Sequence, residues 1–452
     1  MNGSQELRFP DSFLWGVATA AYQVEGAVGA HGRAPSIWDT FCRRPGAVVH
    51  GHNGDVACDQ YHRYPQDVEL MRRLGVGAYR FSLAWPRIVP AGSGAVNEAG
   101  FDYYHRLLDA LQQAGIAPAV TLYHWDLPQA LQDAGGWANR DTACRFADYA
   151  ERCFRALGDR VGFWFTLNEP YCSSILGYLE GVHAPGIRDR AVAYRAVHHL
   201  NLGHGLAVQA YRGQASATGT AAARGIGAVL NLLAARPATA RPEDIEAADR
   251  ALDLQSRMFL DPILDRGYPR RHLAAYPQAP LPIEPGDLEI IAAPVDFLGL
   301  NYYWEEAVEA DPEAPEGYRL AAQWQPASEM GWPVVPGGLL RQLRWVRQRT
   351  GGLPLYVTEN GCAVADRLTA DGTRCADRRR IDFLRGHLAA CSRALSEGIP
   401  LAGYFLWSLI DNFEWSFGYT RRFGIVYCDY TDLRRIPKDS YYFYRDVIAN
   451  YV

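Results

Sequence analysis

Two glutamates in this sequence lie where an apolar run meets turn residues. Glu169 stands in the block TLNEP at 166–170, and Glu359 stands in the block VTENG at 357–361. One glutamate at such a position could serve as a helix cap or an ion-pair partner, but the matching contexts favour a shared role. Two facing carboxyl groups are the minimum apparatus of glycoside hydrolysis, one acting as acid and the other as nucleophile or base. The sequence therefore predicts that the two glutamates face each other in one catalytic cavity.

Side chains suited to binding a sugar follow other apolar runs of the sequence. Indole rings stack on the C–H face of a pyranose, and amide, imidazole and carboxylate groups bind its hydroxyls. Arg80 lies inside the apolar run 79–83, where an unpaired guanidinium would be costly to bury, so Glu359 is its expected partner. The candidate sugar-binding residues are Gln23, His124, Trp125, Asn301, Tyr303, Trp407, Glu414 and Trp415.

Eight nearly continuous apolar runs are spaced along the chain, as expected of strands buried on both faces. Helical patterns separate them, which favours parallel pairing with right-handed crossovers. Eight such units close most naturally into an α/β fold, the (β/α)8 TIM barrel, whose active site lies at the C-terminal strand ends. A doubly wound sheet is the alternative, but no GxGxxG motif follows a candidate strand. The predicted strands are Phe13–Gln23, Ala78–Trp85, Ala117–Trp125, Phe163–Asn168, Gly225–Leu232, Asp296–Tyr303, Leu353–Glu359 and Leu401–Leu409.

Helical periodicity is clear in four of the intervening stretches. The first two of these helices are expected to end at Gly75 and Gly115. The stretch Glu305–Pro336, after the sixth strand, is predicted to be a long active-site loop. Since neither a linker nor a repeat divides the chain, residues 1–452 are expected to form a single catalytic barrel domain. The predicted helices are Asp67–Leu74, Tyr103–Ala114, Asp141–Leu157 and Ile381–Leu395.

The composition argues against several classes of protein. The 452 residues are 48% hydrophobic, enough for a large core, and carry a net charge of −5 without a basic block suited to nucleic acid. The apolar stretch Leu401–Ile410 is about half as long as a membrane-spanning helix, and Met1–Pro10 holds no apolar segment of a secretory signal. We therefore expect a soluble, cytoplasmic protein with neither a nucleic-acid nor a membrane partner.

The lysine and cysteine content narrows the chemistry further. Lys438 is the only lysine, so a GxxxxGK phosphate loop is excluded, and a Schiff-base mechanism would depend on this one residue. The nine cysteines contain no C-x-x-C pair, and we expect small buried thiols rather than disulfides or a zinc site. No metal or organic cofactor is called for, because carboxyl groups supply both the nucleophile and the proton transfer.

Five blocks of the sequence resemble glycoside hydrolase family 1, and the resemblance covers nearly the whole chain. They are FLWGVATAAYQVEG at 13–26, YHWDLP at 123–128, the glutamate blocks at 166–170 and 357–361, and the tryptophan-rich block at 407–419. The resemblance implies a metal-free β-glucosidase that works by retaining double displacement through a covalent glycosyl intermediate.

The resemblance also implies roles for individual residues. Glu359 would be the nucleophile, and Glu169 would be the general acid and then the general base. Arg80 and Tyr303 would hold down the pKa of Glu359, and Asn168 would bind the sugar 2-hydroxyl. The remaining matches are the glycone-binding positions Gln23, His124, Glu414 and Trp415, the stacking floor Trp407, and Trp332 at the entrance where the aglycone lies.

The leading hypothesis is an exo-acting β-glycosidase that removes single sugars from β-glucosides or short β-linked oligosaccharides, with galactosides and fucosides also cleaved. Glu169, where thioglucosidases have glutamine, favours O-glycosides, and Glu414, where 6-phospho-glycosidases have serine, favours unphosphorylated sugars. Tyr171 and the pair Ser416-Phe417 depart from the family pattern and leave the aglycone preference open. A transglycosidase that uses the same residues and a non-catalytic sugar-binding barrel are the alternatives.

Overall fold

A closed barrel of eight parallel strands forms the centre of the protein. The structure, a computed structural model, describes residues 7–218, 225–322 and 326–451. Each strand pairs in parallel with the next along the chain, and the last pairs with the first, which confirms the predicted (β/α)8 barrel. The strands are β1 (Leu14–Ala18), β2 (Ala78–Ser82), β3 (Ala117–Tyr123), β4 (Phe163–Asn168), β5 (Ile226–Leu230), β6 (Phe297–Asn301), β7 (Leu355–Asn360) and β8 (Leu401–Trp407).

The barrel strands mostly end a few residues before the apolar runs that predict them. The apolar run that predicts β4 has the same first and last residues as the strand itself. In the run that predicts β1, only Leu14–Ala18 forms a strand. The later residues form the helical turn Ala21–Val24. The backbone N–H of Ala21 donates to the hydroxyl oxygen of Ser82 at 2.7 Å. Gln23 therefore lies in this turn, and the prediction that it closes the first strand is wrong.

One long helix follows each barrel strand, and the helix after β5, Pro242–Leu252, packs on a small sheet outside the barrel. The predicted helix Asp141–Leu157 is confirmed with the same bounds, whereas the first two helices begin earlier than predicted, where polar residues hide the apolar periodicity. Gly75 ends the first of them in the left-handed conformation, at φ 83°. The long helices are Gln60–Leu74, Glu98–Gln113, Asp141–Leu157, Arg190–Thr218, Pro242–Leu252, Pro336–Thr350, Arg378–Ser396 and Asp439–Ala449. Shorter helices are Ala21–Val24, Ile37–Phe41, Trp85–Ile88, Gln129–Asp133, Met258–Ile263, Arg270–Ala275 and Asp287–Ile291.

Two small sheets lie in the loops outside the barrel. The stretch Glu305–Pro336, predicted as a loop, contains two strands that join a third strand after β5, and its residues 323–325 lie outside the described residues. A hairpin follows β8. The strands of the first sheet are Ala235–Pro237, Glu306–Ala310 and Tyr318–Leu320, and those of the hairpin are Val426–Cys428 and Arg435–Pro437.

The ends of β7 and β8 approach each other closely. A Cβ atom on Gly361 would lie 1.7 Å from the carbonyl oxygen of Trp407, so a glycine is required after the Glu359-Asn360 pair. This contact fixes Glu359 next to Trp407 at the C-terminal end of the barrel.

The thiols follow the prediction with one exception. All nine cysteines are free, and eight of them are buried, but Cys144 is exposed, so the expectation of buried thiols is wrong there. Among the described helices, we find none with the length and hydrophobicity needed to cross a membrane.

Lys438 lies in a buried ionic cluster beneath the loop that follows β8. Its ammonium group binds Asp366 at 2.5 Å and Asp411 at 2.7 Å, and all three side chains are fully buried. Arg422 also binds Asp411, at 2.6 Å. Asp411 stands three residues before Glu414, so the cluster anchors the loop that carries a predicted sugar-binding residue.

Replacing Lys438 by methionine should destabilise the protein by about 3–5 kcal/mol, because it removes the buried cation that Asp366 and Asp411 share and leaves each of them with an arginine alone. Urea unfolding followed by tryptophan fluorescence measures the change. Arg445→Ala, which removes an exposed ion pair with Asp446, is the control and should leave the unfolding midpoint nearly unchanged. Equal midpoints for the Lys438 variant and the wild type would contradict the anchoring role.

Candidate active site

A cavity of about 550 Å³ opens at the C-terminal ends of the barrel strands. Ten of the thirteen predicted site residues line it, and the other three, Gln23, Arg80 and Asn168, lie buried behind this lining. The structure thus brings the predicted residues together around one cavity. The lining residues from the prediction are His124, Trp125, Glu169, Asn301, Tyr303, Trp332, Glu359, Trp407, Glu414 and Trp415.

Glu359, near the end of β7, is bound by a cation and a phenol. Arg80 of β2 donates to its Oε1 at 2.6 Å, and the hydroxyl of Tyr303 donates to its Oε2 at 2.7 Å. Burial raises the pKa of Glu359 above its ordinary value, and these two donors only partly offset this effect. The expected pairing with Arg80 is confirmed. Both donors lower the pKa of Glu359 as expected, but they do not bring it below its ordinary value, because burial has the larger effect.

Glu169 follows β4 and is bound by uncharged donors only, within the described part of the chain. Its backbone is in the left-handed region at φ 48°. Asn301 donates to its Oε1 at 2.7 Å, and the Cys172 thiol donates to its Oε2 at 3.2 Å. Burial, and then the nearby charge of Glu359, raise the pKa of Glu169 to about 8. Glu169 therefore holds its proton to a higher pH than an ordinary glutamate.

A buried hydrogen-bond network connects the two carboxyl groups. Arg80 donates to the side-chain oxygen of Asn168 at 2.6 Å as well as to Glu359. Asn301 donates to the same oxygen of Asn168 at 3.1 Å as well as to Glu169. The hydroxyl of Thr358 donates to Asn301 at 2.8 Å and fixes the orientation of its amide. The network holds the two carboxyl groups in a fixed relation to each other.

Three buried polar atoms of the predicted sugar-binding residues have no hydrogen-bond partner among the described residues. They are Gln23 Oε1, His124 Nδ1 and Glu414 Oε2. The Gln23 amide nitrogen donates to Asn412 at 3.0 Å and to the Phe413 carbonyl at 2.8 Å, beside Glu414. Burial and the charges of the two other glutamates raise the pKa of Glu414 to about 8. Because buried polar groups are nearly always paired, these atoms are suited to bind the hydroxyls of a ligand.

Aromatic rings form two walls of the cavity. Trp125 packs on Trp415 with their ring centroids 4.4 Å apart, and both residues have left-handed backbones. In another part of the lining, Trp332 stacks on Trp304 with their ring centroids 4.4 Å apart. Left-handed backbones at non-glycine residues cost about 1–3 kcal/mol and cluster at functional sites. The walls suit the flat faces of a sugar ring and its substituent.

Comparison with known proteins identifies the family. The sequence model described as Glycosyl hydrolase family 1 matches residues 5–451. The chain belongs to glycosyl hydrolase family 1. It is therefore a glycoside hydrolase, and the resemblance seen in the sequence is confirmed.

Relatives of this chain match over almost their whole length. Beta-glucosidase A of Thermotoga maritima is 47% identical over 445 residues, which cover 98% of this chain and 98% of that protein. A bifunctional beta-D-glucosidase/beta-D-fucosidase of Bifidobacterium breve is 44% identical, and 98% of each chain is covered. The solved structure of the beta-glucosidase from Thermotoga maritima in complex with galacto-hydroximolactam has a TM-score of 0.93 at 46% identity and covers 99% of each chain.

Several residues of this family 1 site are absent from the sequence-based prediction. Thr358 and Cys172 bind predicted site residues, and His183, Asn231 and Phe423 line the cavity. Asn231 directly follows β5, so the rule that strand ends carry the site would have found it. Thr358 lies inside a strand, Cys172 begins the short helix Cys172–Leu176, and the other two lie in loops, where the sequence carries no comparable signal.

The family 1 site suits carboxyl chemistry. One carboxyl group is paired with a cation and the other with neutral donors, an arrangement that separates their proton affinities. Within the described ranges, no three or more histidine, cysteine, aspartate or glutamate side chains are grouped as metal ligands.

Proposed function

We propose that this chain is a retaining, exo-acting β-glucosidase that acts as a single catalytic domain and also cleaves β-galactosides and β-fucosides. The contrast between Glu359, paired with Arg80, and Glu169, held by neutral donors, carries the proposal. Such a contrast assigns the nucleophile to the first residue and the acid to the second. A retaining mechanism places the two carboxyl groups about 5–5.5 Å apart. Arg80, bound to Glu359, and Asn301, bound to Glu169, donate to the same side-chain oxygen of Asn168, which supports a close arrangement of the pair.

The reaction proceeds in two displacements. Glu359 attacks the anomeric carbon and forms a glycosyl ester, while the bond to the leaving oxygen breaks and Glu169 gives its proton to that oxygen. Glu169, now a carboxylate, then takes a proton from water, whose oxygen attacks the anomeric carbon and releases Glu359. Asn168, held by Arg80 and Asn301, would bind the sugar 2-hydroxyl, a contact that strengthens in the transition state.

The choice of sugar depends on the unpaired polar atoms. Gln23 and Glu414 would bind the 3-, 4- and 6-hydroxyl region, with His124 beside them and Trp407 beneath the ring. Such a pair of groups accepts either orientation of the hydroxyl at C4. The printed activities of the Bifidobacterium breve relative and the galacto-configured inhibitor bound to the Thermotoga maritima relative support a site that tolerates more than glucose.

The test follows the sugar released from 4-nitrophenyl β-D-glucoside by NMR, before mutarotation mixes the anomers. β-Glucose as the first product would support retention, whereas α-glucose would make the enzyme inverting and Glu359 a general base. Turnover of neither the glucoside nor the corresponding galactoside would contradict the proposal.

The pH dependence of kcat/KM should be bell-shaped. Activity rises with pH as Glu359 ionises and falls as Glu169 loses its proton. Since burial raises the pKa of Glu359 above 4.5, the acid limb should lie above that pH, and the pKa of about 8 for Glu169 places the alkaline limb near pH 8. Initial rates on a β-glucoside with a poor leaving group measure both limbs. A profile that stays level through pH 8 would argue against Glu169 as the acid.

A further inference from the structure

Cys172 contacts the carboxyl group of Glu169 from the first turn after β4. Its thiol donates to Oε2 at 3.2 Å, and the side-chain amide of Asn231 donates to the sulfur at 3.3 Å. The amide proton of Cys172 is also bound by the Glu169 carbonyl at 2.9 Å, so the two residues share one turn. Burial, and then the charge of Glu169, raise the pKa of the Cys172 thiol well above its ordinary value. The thiol therefore stays protonated and acts as a donor.

Each oxygen of Glu169 thus has one donor, Asn301 on Oε1 and Cys172 on Oε2. Donors to a carboxyl group favour its anionic form, which Glu169 adopts when it has given its proton to the leaving group. A thiol is a weak donor, whereas a hydroxyl is a stronger one and an aliphatic group is none. The strength of this one contact therefore contributes to how readily Glu169 gives up its proton.

We propose that Cys172 is a positioning residue that fixes the plane of the Glu169 carboxyl group and stabilises its anion by an intermediate amount. This inference rests on the proposed role of Glu169 as the acid. Asn231 supports it by holding the sulfur in place from the end of β5. The other titratable or charged groups near Glu169 are Arg80 on β2, Glu359 on β7, Tyr303 after β6 and Glu414 after β8, and all of them stay unchanged in the test below.

The test compares Cys172→Val, the wild type and Cys172→Ser, which offer no donor, a weak donor and a stronger donor. With a β-glucoside that has a poor leaving group, the alkaline limb of kcat/KM should move up by about half a pH unit to one unit in the valine variant and down in the serine variant. With 2,4-dinitrophenyl β-glucoside, whose leaving group needs no proton, the three profiles should coincide at high pH. A merely structural role would change both substrates alike.

The control is Cys153→Val. Cys153 is another buried cysteine, on the helix Asp141–Leu157, and its replacement should leave the alkaline limb of kcat/KM in place. The inference would be overturned if the wild type and the two Cys172 variants had overlapping alkaline limbs, or if the valine and serine variants shifted the limb in the same direction. Turnover of β-glucosides by these proteins would still support the proposed function. Wild-type protein without β-glucosidase activity would instead overturn the proposed function. Asn231→Ala supplies a second measurement. The alkaline limb of its kcat/KM profile should move in the same direction as that of the Cys172→Val variant.

Discussion

Replacing Glu359 by glycine should reduce kcat on β-glucosides by about 10⁵–10⁶-fold, the scale seen when an enzyme loses its nucleophile. The carboxylate is buried and bound by Arg80 and Tyr303, so no neighbouring group can take its place at the anomeric carbon. Steady-state rates with 4-nitrophenyl β-glucoside measure the loss. Circular dichroism checks that the variant is folded.

Azide should restore turnover in this glycine variant and give the α-glucosyl azide. The small anion fills the space of the lost side chain, beside the guanidinium of Arg80, and attacks from the nucleophile's side with one inversion. The Glu359→Gln variant is the matched control: it is also inactive, but its amide fills that space, so azide should not rescue it. A β-azide product would show that Glu359 is not the nucleophile.

The barrel could be predicted because strands buried on both faces appear as continuous apolar runs. The run for β4 has the same bounds as the strand, and this accuracy places Asn168 at the strand end and Glu169 in the cavity lining. The prediction fails for Gln23, because the apolar residues after Ala18 are equally compatible with a buried helical turn. Apolar character alone does not separate these two conformations.

Two features of the site depend on three-dimensional surroundings that no local pattern reports. The net pKa of Glu359 depends on how far burial outweighs Arg80 and Tyr303, and the sequence predicts only the partners. The left-handed backbones of Trp125, Glu169 and Trp415 are held by the loops around them, since non-glycine residues rarely adopt this conformation alone. The types of the site residues were therefore predictable, but their electrostatic balance was not.

Replacing Glu169 by glycine should produce a loss that depends on the leaving group. Substrates that need a proton, such as alkyl glucosides or cellobiose, should lose about 10²–10⁴-fold in kcat/KM, the usual contribution of a general acid. 2,4-Dinitrophenyl β-glucoside should keep most of its kcat/KM, because its leaving group departs as the anion. Its kcat should nevertheless fall, since the second displacement lacks its base and the glycosyl-enzyme accumulates. A burst of dinitrophenolate before the steady state measures this accumulation.

Azide should rescue the Glu169 variant with the opposite stereochemistry. Glu359 still forms the glycosyl ester, and azide then enters through the space left by Glu169, on the opposite side of the sugar, to give the β-glucosyl azide. Glu169→Gln should show the same dependence on the leaving group but no azide product, because the amide still occupies this space next to Asn301 and Cys172. The pair of glycine variants separates the roles: opposite products assign nucleophile and acid to different carboxyl groups, whereas identical products would contradict the assignment of both.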